Sequence, residues 1–401
     1  MFKKSLLAVA VLGTAAGFAC AADVTLYGVA DAGLLYTNSK AKVTIGNASA
    51  TAKDHTFGLE SGVSSASRFG LKGTEDLGNG LKVGFKLENG FNTDDGTLGN
   101  DGRLFGREAS LTVSGDFGAL SMGRMGGLGS GAGTYNLFTA TADAFDGGNV
   151  DILGLVTTER YDNMITYQTP KFAGIQGTFQ YSFKGNNVKD DDAVTEVYYD
   201  PATGREGSAS TDRYASMGLT GDFGALQTVL TYEYLNYASN GTIIDANGTE
   251  TAGYNKDGLN GQIISLGGNY DCGFAKTFVA AQYFKDVLLS DDALFSSRQM
   301  FVDSAKGYAF GLGTIVPVAG GDLTTAFYYK DFEVEWEEKA RAGDNRDGKY
   351  YGLTAKYEYP LSKRTSIYTG AGVSQEKIDY QDKTEDKTTQ YQAFAGMTHR
   401  F

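Results

Sequence analysis

Tyr350 to Tyr359, YYGLTAKYEY, is the stretch that decides the fold class. Its odd positions hold Tyr351, Leu353, Ala355, Tyr357 and Tyr359, and its even ones include Gly352, Thr354, Lys356 and Glu358. Successive side chains of a strand point to opposite sides, so this period of two describes a strand with one apolar face. The same alternation runs outward along the chain. Leu81, Val83, Phe85 and Leu87 interleave with Lys82, Gly84, Lys86 and Glu88. Leu226, Leu230, Tyr232 and Tyr234 repeat it, as do Leu323, Phe327 and Tyr329. In a soluble sandwich the apolar face points inward. In a membrane barrel it faces lipid, and the polar face lines a lumen.

Loop lengths separate these two architectures. Short turns rich in Gly and Asp recur at 73–80, 115–118, 170–174, 221–224, 271–275, 317–322 and 360–363. Long polar stretches lie between them, at 37–55, 92–102, 126–158, 184–211, 237–260, 286–305, 334–347 and 376–388. Short turns on one side and long loops on the other are the pattern of an outer-membrane barrel. The strands between them number about sixteen, and a barrel of that size leaves an aqueous channel. A soluble protein of several sandwiches would explain the strands but not the alternating loops. The expected fold is therefore all-β, a transmembrane antiparallel β-barrel with short periplasmic turns.

The ends of the chain and its composition fit that reading. Lys3 and Lys4, the apolar run from Leu6 to Phe18, and Ala19-Cys20-Ala21 have the order of a secretory signal. The run is too short to cross a membrane, so residues 1–21 are expected to be removed and 22–401 to form the barrel. Cleavage would leave Cys272 as the one cysteine, which permits no intrachain disulfide. Taking Lys3 and Lys4 from the 35 basic residues leaves 33 against 48 acidic ones, a net charge of −15. That disfavours nucleic acid as a partner. His55 and His399 are the two histidines and lie far apart in sequence, so a metal or acid–base site built on them is not expected. No cofactor is implied.

One long connection stands apart from the others. Within Ser121 to Pro170, about thirty residues show no period, and loops of that length are usually functional or disordered. This one opens with Gly126, Gly127, Gly129, Gly131 and Gly133 and carries Tyr135, Phe138, Asp143, Phe145, Asp146 and Asp151. A disordered segment would hold fewer apolar groups. The glycines do not have dinucleotide or phosphate-loop spacing. Folding into the barrel would bury Phe138, Phe145, Ile152 and Leu153. Exposure would cost ~1.5–3 kcal/mol for each large side chain that could otherwise be buried. Asp190 to Asp192 and Asp291-Asp292 are read as solvated outer-loop acids rather than cation sites.

Several phrases resemble the general porins of Gram-negative bacteria, most closely their β-proteobacterial branch. Val24-Thr-Leu-Tyr-Gly28 with Asp31 and Gly33 resembles their first strand. Ser67-Arg-Phe-Gly-Leu-Lys-Gly-Thr-Glu-Asp-Leu-Gly-Asn-Gly-Leu81 resembles their second hairpin. Leu104-Phe-Gly-Arg-Glu-Ala109, the Gly-Asp-Phe-Gly turn and Gly123-Arg124 resemble the approach to their third loop. Arg160, Asn163, Tyr167, Pro170, Phe172 and Gly174 resemble the strand and turn after that loop, and the chain ends in Phe401 as such barrels do. The resemblance implies a homotrimer of 16-stranded barrels in contact with outer-membrane lipid and lipopolysaccharide. It also implies assembly machinery that reads Phe401, and a third loop that narrows each barrel. Wall bases facing loop acids would carry over to Arg68, Arg124 and Arg160, with Lys72 on the same face as Arg68. The candidate acids are Asp143, Asp146 and Asp151.

Parity gives a separate test of these positions. Phe69 and Leu71 are expected to face lipid, which puts Arg68 and Lys72 inside. Tyr161, Ile165 and Tyr167 are expected to face lipid, which puts Arg160 inside. Arg124 shares the parity of Leu120 and Met122, and an Arg facing lipid at mid-depth would cost ~2–4 kcal/mol. A local break in its strand is expected to turn it inward. Arg107 shares the parity of Ala109, Leu111 and Val113 and is read as an Arg of the loop-side rim.

The function these features imply is passive diffusion of small hydrophilic solutes and ions through a charged constriction, with no chemistry. A substrate-specific channel would instead carry an aromatic track along the lumen. An outer-membrane lipase or protease would need a His paired with Ser or Asp, which His55 and His399 are poorly placed to supply.

Overall fold

The computed structural model describes residues 24–145, 152–183, 212–237, 240–244, 250–255, 260–288, 303–336, 346–380 and 384–401. The expected signal segment lies outside them.

The strands are β1 (Thr25–Ile45), β2 (Ala48–Ser61), β3 (Arg68–Gly78), β4 (Leu81–Gly90), β5 (Glu108–Gly115), β6 (Gly118–Gly126), β7 (Arg160–Gln168), β8 (Ile175–Ser182), β9 (Arg213–Phe223) and β10 (Leu226–Asn236). They continue as β11 (Asn240–Ile244), β12 (Glu250–Asn255), β13 (Asn260–Asp271), β14 (Lys276–Leu288), β15 (Asp303–Val318), β16 (Gly321–Trp336), β17 (Arg346–Pro360), β18 (Thr365–Tyr380) and β19 (Thr384–Arg400). One short helix, α1 (Phe138–Ala142), lies between β6 and β7.

Seventeen of these strands form one sheet, and β11 and β12 pair separately as a hairpin. The sheet closes at β1. One edge of β1 pairs with β19 from Val29↔Arg400 to Ile45↔Thr384. Its other edge takes two partners in succession, β3 along Thr25 to Val29 and β2 along Ala32 to Ile45. Together β2 and β3 occupy one place in the ring, so seventeen strands make a sixteen-stranded antiparallel barrel. Closure leaves no sheet edge within the ring, which a membrane requires because lipid cannot satisfy bare N–H and C=O groups. Phe401 completes the seam, its N–H donating to Gly28 O (3.1 Å) and its carbonyl accepting from Gly28 N–H (3.0 Å).

The alternation read from the sequence sorts the wall. Leu353 is 55% exposed on the outside while Thr354, its neighbour, is 4% exposed on the lumen side. Phe69, Leu71, Phe327 and Tyr351 likewise face out. Buried residues cluster inside the ring, where the loop 125–159 meets β9, β10 and β13 to β17.

Two expectations fail. The stretches 37–55, 237–260 and 376–388 are not wholly loop: β1, β2, β18, β19 and the β11–β12 hairpin run into them. Neighbouring strands lengthen together there, so the polar residues of 37–45 find backbone partners on both sides. Tyr161 does not face lipid either. Asn163 adopts a positive φ of 51°, which breaks the alternation. Tyr161 is turned inside, buried and stacked on Tyr214 with ring centroids 4.1 Å apart, while Ile165 remains outside.

Candidate functional site

The segment after β6 crosses the lumen and fastens to the far wall. Met125, Leu128, Phe138 and Ile152 are at most 1% exposed, and Phe145 and Leu153 pack against the same cluster. Most of its fastenings are polar bonds to inward side chains. Glu233 on β10 accepts from Gly129 N–H (3.2 Å), Thr158 hydroxyl (2.7 Å) and Tyr214 hydroxyl (2.5 Å). Tyr214 in turn accepts from Leu128 N–H (3.0 Å). Gln282 on β14 both accepts from Val156 N–H and donates to Val156 O, each at 2.8 Å. Asn269 on β13 donates to Thr141 O (2.7 Å). Backbone groups that would otherwise be buried unpaired are thereby satisfied.

Glycines allow these approaches. A Cβ at Gly129 would lie 2.5 Å from Glu233 Oε1, so the carboxylate could not reach the backbone past any larger residue. On the wall, a Cβ at Gly372 would overlap the Ile152 side chain.

At the root of the segment, charges on β3 to β7 are densely paired. Glu88 accepts from Arg107 Nε (2.7 Å) and Tyr27 hydroxyl (2.8 Å). Glu108 takes Lys86 Nζ (2.8 Å) together with the N–H and hydroxyl of Thr134. Arg124 does turn away from the regular face: the β6–β7 register shifts between Gly123 and Met125. Its guanidinium bonds Gly106 O (2.7 Å) and Asp162 Oδ1 (2.8 Å), and Asp162 also holds Arg103. Arg160 lies beside it, with Arg107 and Arg124 as cationic neighbours and Glu88 and Glu159 as anionic ones. Tyr135, on the loop, shares a 2.6 Å bond with Ser121, and burial pushes its phenol above the usual value.

Arg68 begins β3 and folds back on the turn before it, donating to Ala66 O (2.7 Å) and Ser65 Oγ (3.3 Å). Lys72, further along the same face, sits over the Tyr27 ring at 5.2 Å. The turn at 62–67 projects inward and is held by Asp31, which accepts from Ser64 N–H (3.2 Å), Tyr368 hydroxyl (2.9 Å) and Thr398 hydroxyl (2.5 Å).

Asp143 lies across the lumen, where its Oδ1 accepts from Tyr328 hydroxyl on β16 (2.6 Å) and Phe145 N–H (3.3 Å). Asp146 and Asp151 lie outside the described residues. Arg124 and Arg160 thus come together at the loop root, Arg68 stands on the inward turn, and Asp143 is bonded to the opposite wall.

Between the loop and that wall lies a cavity of about 380 Å³. Lys276 of β14 and Lys356 of β17 both line it. Lys356 Nζ donates to Ser64 Oγ (2.9 Å), is 3.5 Å from Glu358, and lies 5.8 Å from the centre of the Phe145 ring. Sequence reasoning placed Lys356 on the polar parity but did not select it, nor Lys276, as a site residue. Arg107, read as a rim residue, is 8% exposed and paired with Glu88. Proximity of Glu88 across β4 was the missing information. Of the histidines, His399 shares a 2.9 Å bond with Thr365 on the exposed face, and His55 is exposed on β2.

Comparison with known proteins gives the relatives of the chain as a whole. A model of the Gram-negative porin family matches residues 8–379. An outer membrane porin protein of Bordetella pertussis is 33% identical over 392 residues, covering 91% of this chain and 92% of the relative. Outer membrane porin protein 32 of Delftia acidovorans is 30% identical over 376 residues, covering 91% and 88%. Among solved structures, an anion-selective porin from Comamonas acidovorans superposes with a TM-score of 0.59 at 24% identity, covering 95% of this chain and all of that one.

Proposed function

The chain belongs to the Gram-negative porin family and forms a diffusion channel in the outer membrane, and on that premise we propose that its constriction favours anions. The observation that carries this reading is the pair of lysines, Lys276 and Lys356, on the cavity between loop and wall. The acids Glu88, Glu108 and Glu233 are engaged by Arg107, Lys86 and the loop itself. Asp143 is the one described acid on the cavity, and it is bonded to Tyr328. Arg68, Arg160 and Lys72 add positive charge from β3 and β7, and Arg124 of β6 shares its charge with Asp162. A narrow passage in low-dielectric surroundings focuses such a field, and solute size and charge then set the rates. The anion preference of the Comamonas porin points the same way. Reversal potential across a bilayer in a potassium chloride gradient tests it; a cation-selective potential would overturn it.

We further propose that three copies assemble and that Phe401 is the signal that directs assembly. Its ring lies against Gly28, where a methyl group would overlap it, and its backbone closes the barrel seam. Deleting Phe401 is expected to lower trimer in the outer membrane while export continues. Unchanged trimer on unheated electrophoresis would refute that role.

A further inference from the structure

We propose that the constriction holds a binding subsite for small organic anions with an aromatic or branched apolar body. This rests on the anion-preferring reading above and names the solute class within it. A diffusion pore for ions alone needs charge and water. The cavity between loop and wall has more than that. Phe145, Ile152 and Leu153 enter it from the loop, and Phe278, Ile315 and Phe394 from the wall. Its volume, about 380 Å³, falls in the lower part of the ~300–1,000 Å³ range of small-molecule sites. Such sites are mainly apolar with a few polar groups that fix orientation.

The polar groups here are unequal in sign. Lys356 reaches the cavity beside Ser64, sharing its charge with Glu358 at 3.5 Å, and Lys276 extends over the Phe278 ring at 5.1 Å. Each ammonium therefore lies next to an aromatic face, Lys356 with Phe145 and Lys276 with Phe278. A carboxylate can bond the ammonium while an attached ring or branched chain occupies the space beside the phenyl groups. Inorganic anions use only the first contact. Asp143 repels a second carboxylate at the Tyr328 end, where its Oδ1 already accepts two hydrogen bonds, so a monoanion fits better than a dianion.

Intact protein in a planar bilayer provides the test, with benzoate and acetate as probes at constant potassium chloride. Benzoate is expected to reduce the chloride current saturably, at a concentration about tenfold below that at which acetate does so, the ring adding buried apolar area to the same charge contact. Phe145→Ala on the loop and Phe278→Leu on the wall are each expected to raise the half-blocking concentration of benzoate with little effect on acetate. Equal block by the two probes, or benzoate block unchanged in both variants, overturns the subsite. The potassium chloride reversal potential from the same bilayers reports the anion preference separately. An anion-selective channel without benzoate block rejects the subsite alone, whereas a cation-selective one rejects the underlying reading.

Discussion

The loop that crosses the lumen meets two walls of different character. Against β4 to β7 its neighbours are charges already joined to one another: Glu88 with Arg107, Glu108 with Lys86, and Asp162 with Arg103 and Arg124. Against β14 to β19 it meets Phe278, Ile315, Tyr328 and Phe394, with Lys276 and Lys356 among them. The contrast separates two uses of charge. At the root, opposite charges are paired and hold backbone in place. At the tip, two cations stand on an apolar passage, Lys276 beside Phe278 and Lys356 with Glu358 at 3.5 Å, and an arriving anion adds to that counter-charge. Site residues chosen by resemblance fall mostly on the first wall, whereas the cavity lies on the second.

The largest effect is expected from releasing the loop. Glu233→Leu removes the acceptor of Gly129 N–H and of the Thr158 and Tyr214 hydroxyls. Each buried group left unpaired costs ~1–3 kcal/mol. The loop should then leave the wall, and single-channel conductance should rise with frequent transitions between levels. Steady wild-type conductance would show that the apolar contacts of Leu128, Phe138 and Ile152 hold the loop without the Glu233 bonds.

Next in size is the contest between the two walls over selectivity. Lys276→Ser with Lys356→Ser should shift the reversal potential toward cations by an anion-to-cation ratio of about fivefold, the worth of ~1 kcal/mol for charges ~4 Å apart in water-like surroundings. Arg68→Ser with Arg160→Ser should move it the same way but less, with a larger permeable size. Both shifts should shrink from 0.1 M to 1 M salt, as the Debye length falls from ~10 to ~3 Å. A larger shift from the arginine pair would reverse the assignment of the walls.

The same contrast explains which features were legible in the sequence. Alternation at Tyr350 to Tyr359 and the spacing of turns depend on local period, so the barrel and its lumen face could be read. Tyr161 was misassigned because one left-handed residue, Asn163, breaks the alternation between Tyr161 and Ile165; Asn enters that region more readily than most residues, but a period of two does not show where it does so. Arg124 was placed by the need to avoid lipid, and the register shift after Gly123 supplies the means. Lys356 lay on the lumen parity from the outset. Its distinction from other inward lysines is Ser64 and Phe145 beside it, residues 292 and 211 positions earlier in the chain. Contacts of that separation leave no periodic trace.

The smallest expected effect probes Asp143, the one described acid that lines the cavity. Tyr328→Phe keeps the ring and removes the hydroxyl that donates to Asp143 at 2.6 Å. Asp143 then retains the Phe145 N–H, a longer bond at 3.3 Å. A charge-assisted hydrogen bond contributes ~1.5–3 kcal/mol, enough to fix the orientation of a partly exposed carboxylate. Freed from Tyr328, the carboxylate can turn toward the passage and attract cations, so the reversal potential should move slightly toward cations. Asp143→Asn removes the charge and should move it toward anions. Opposite signs from two neighbouring substitutions are hard to obtain from general loosening of the loop, which would act in one direction. Shifts of the same sign would mean that Asp143 fastens the loop and does not act on passing ions.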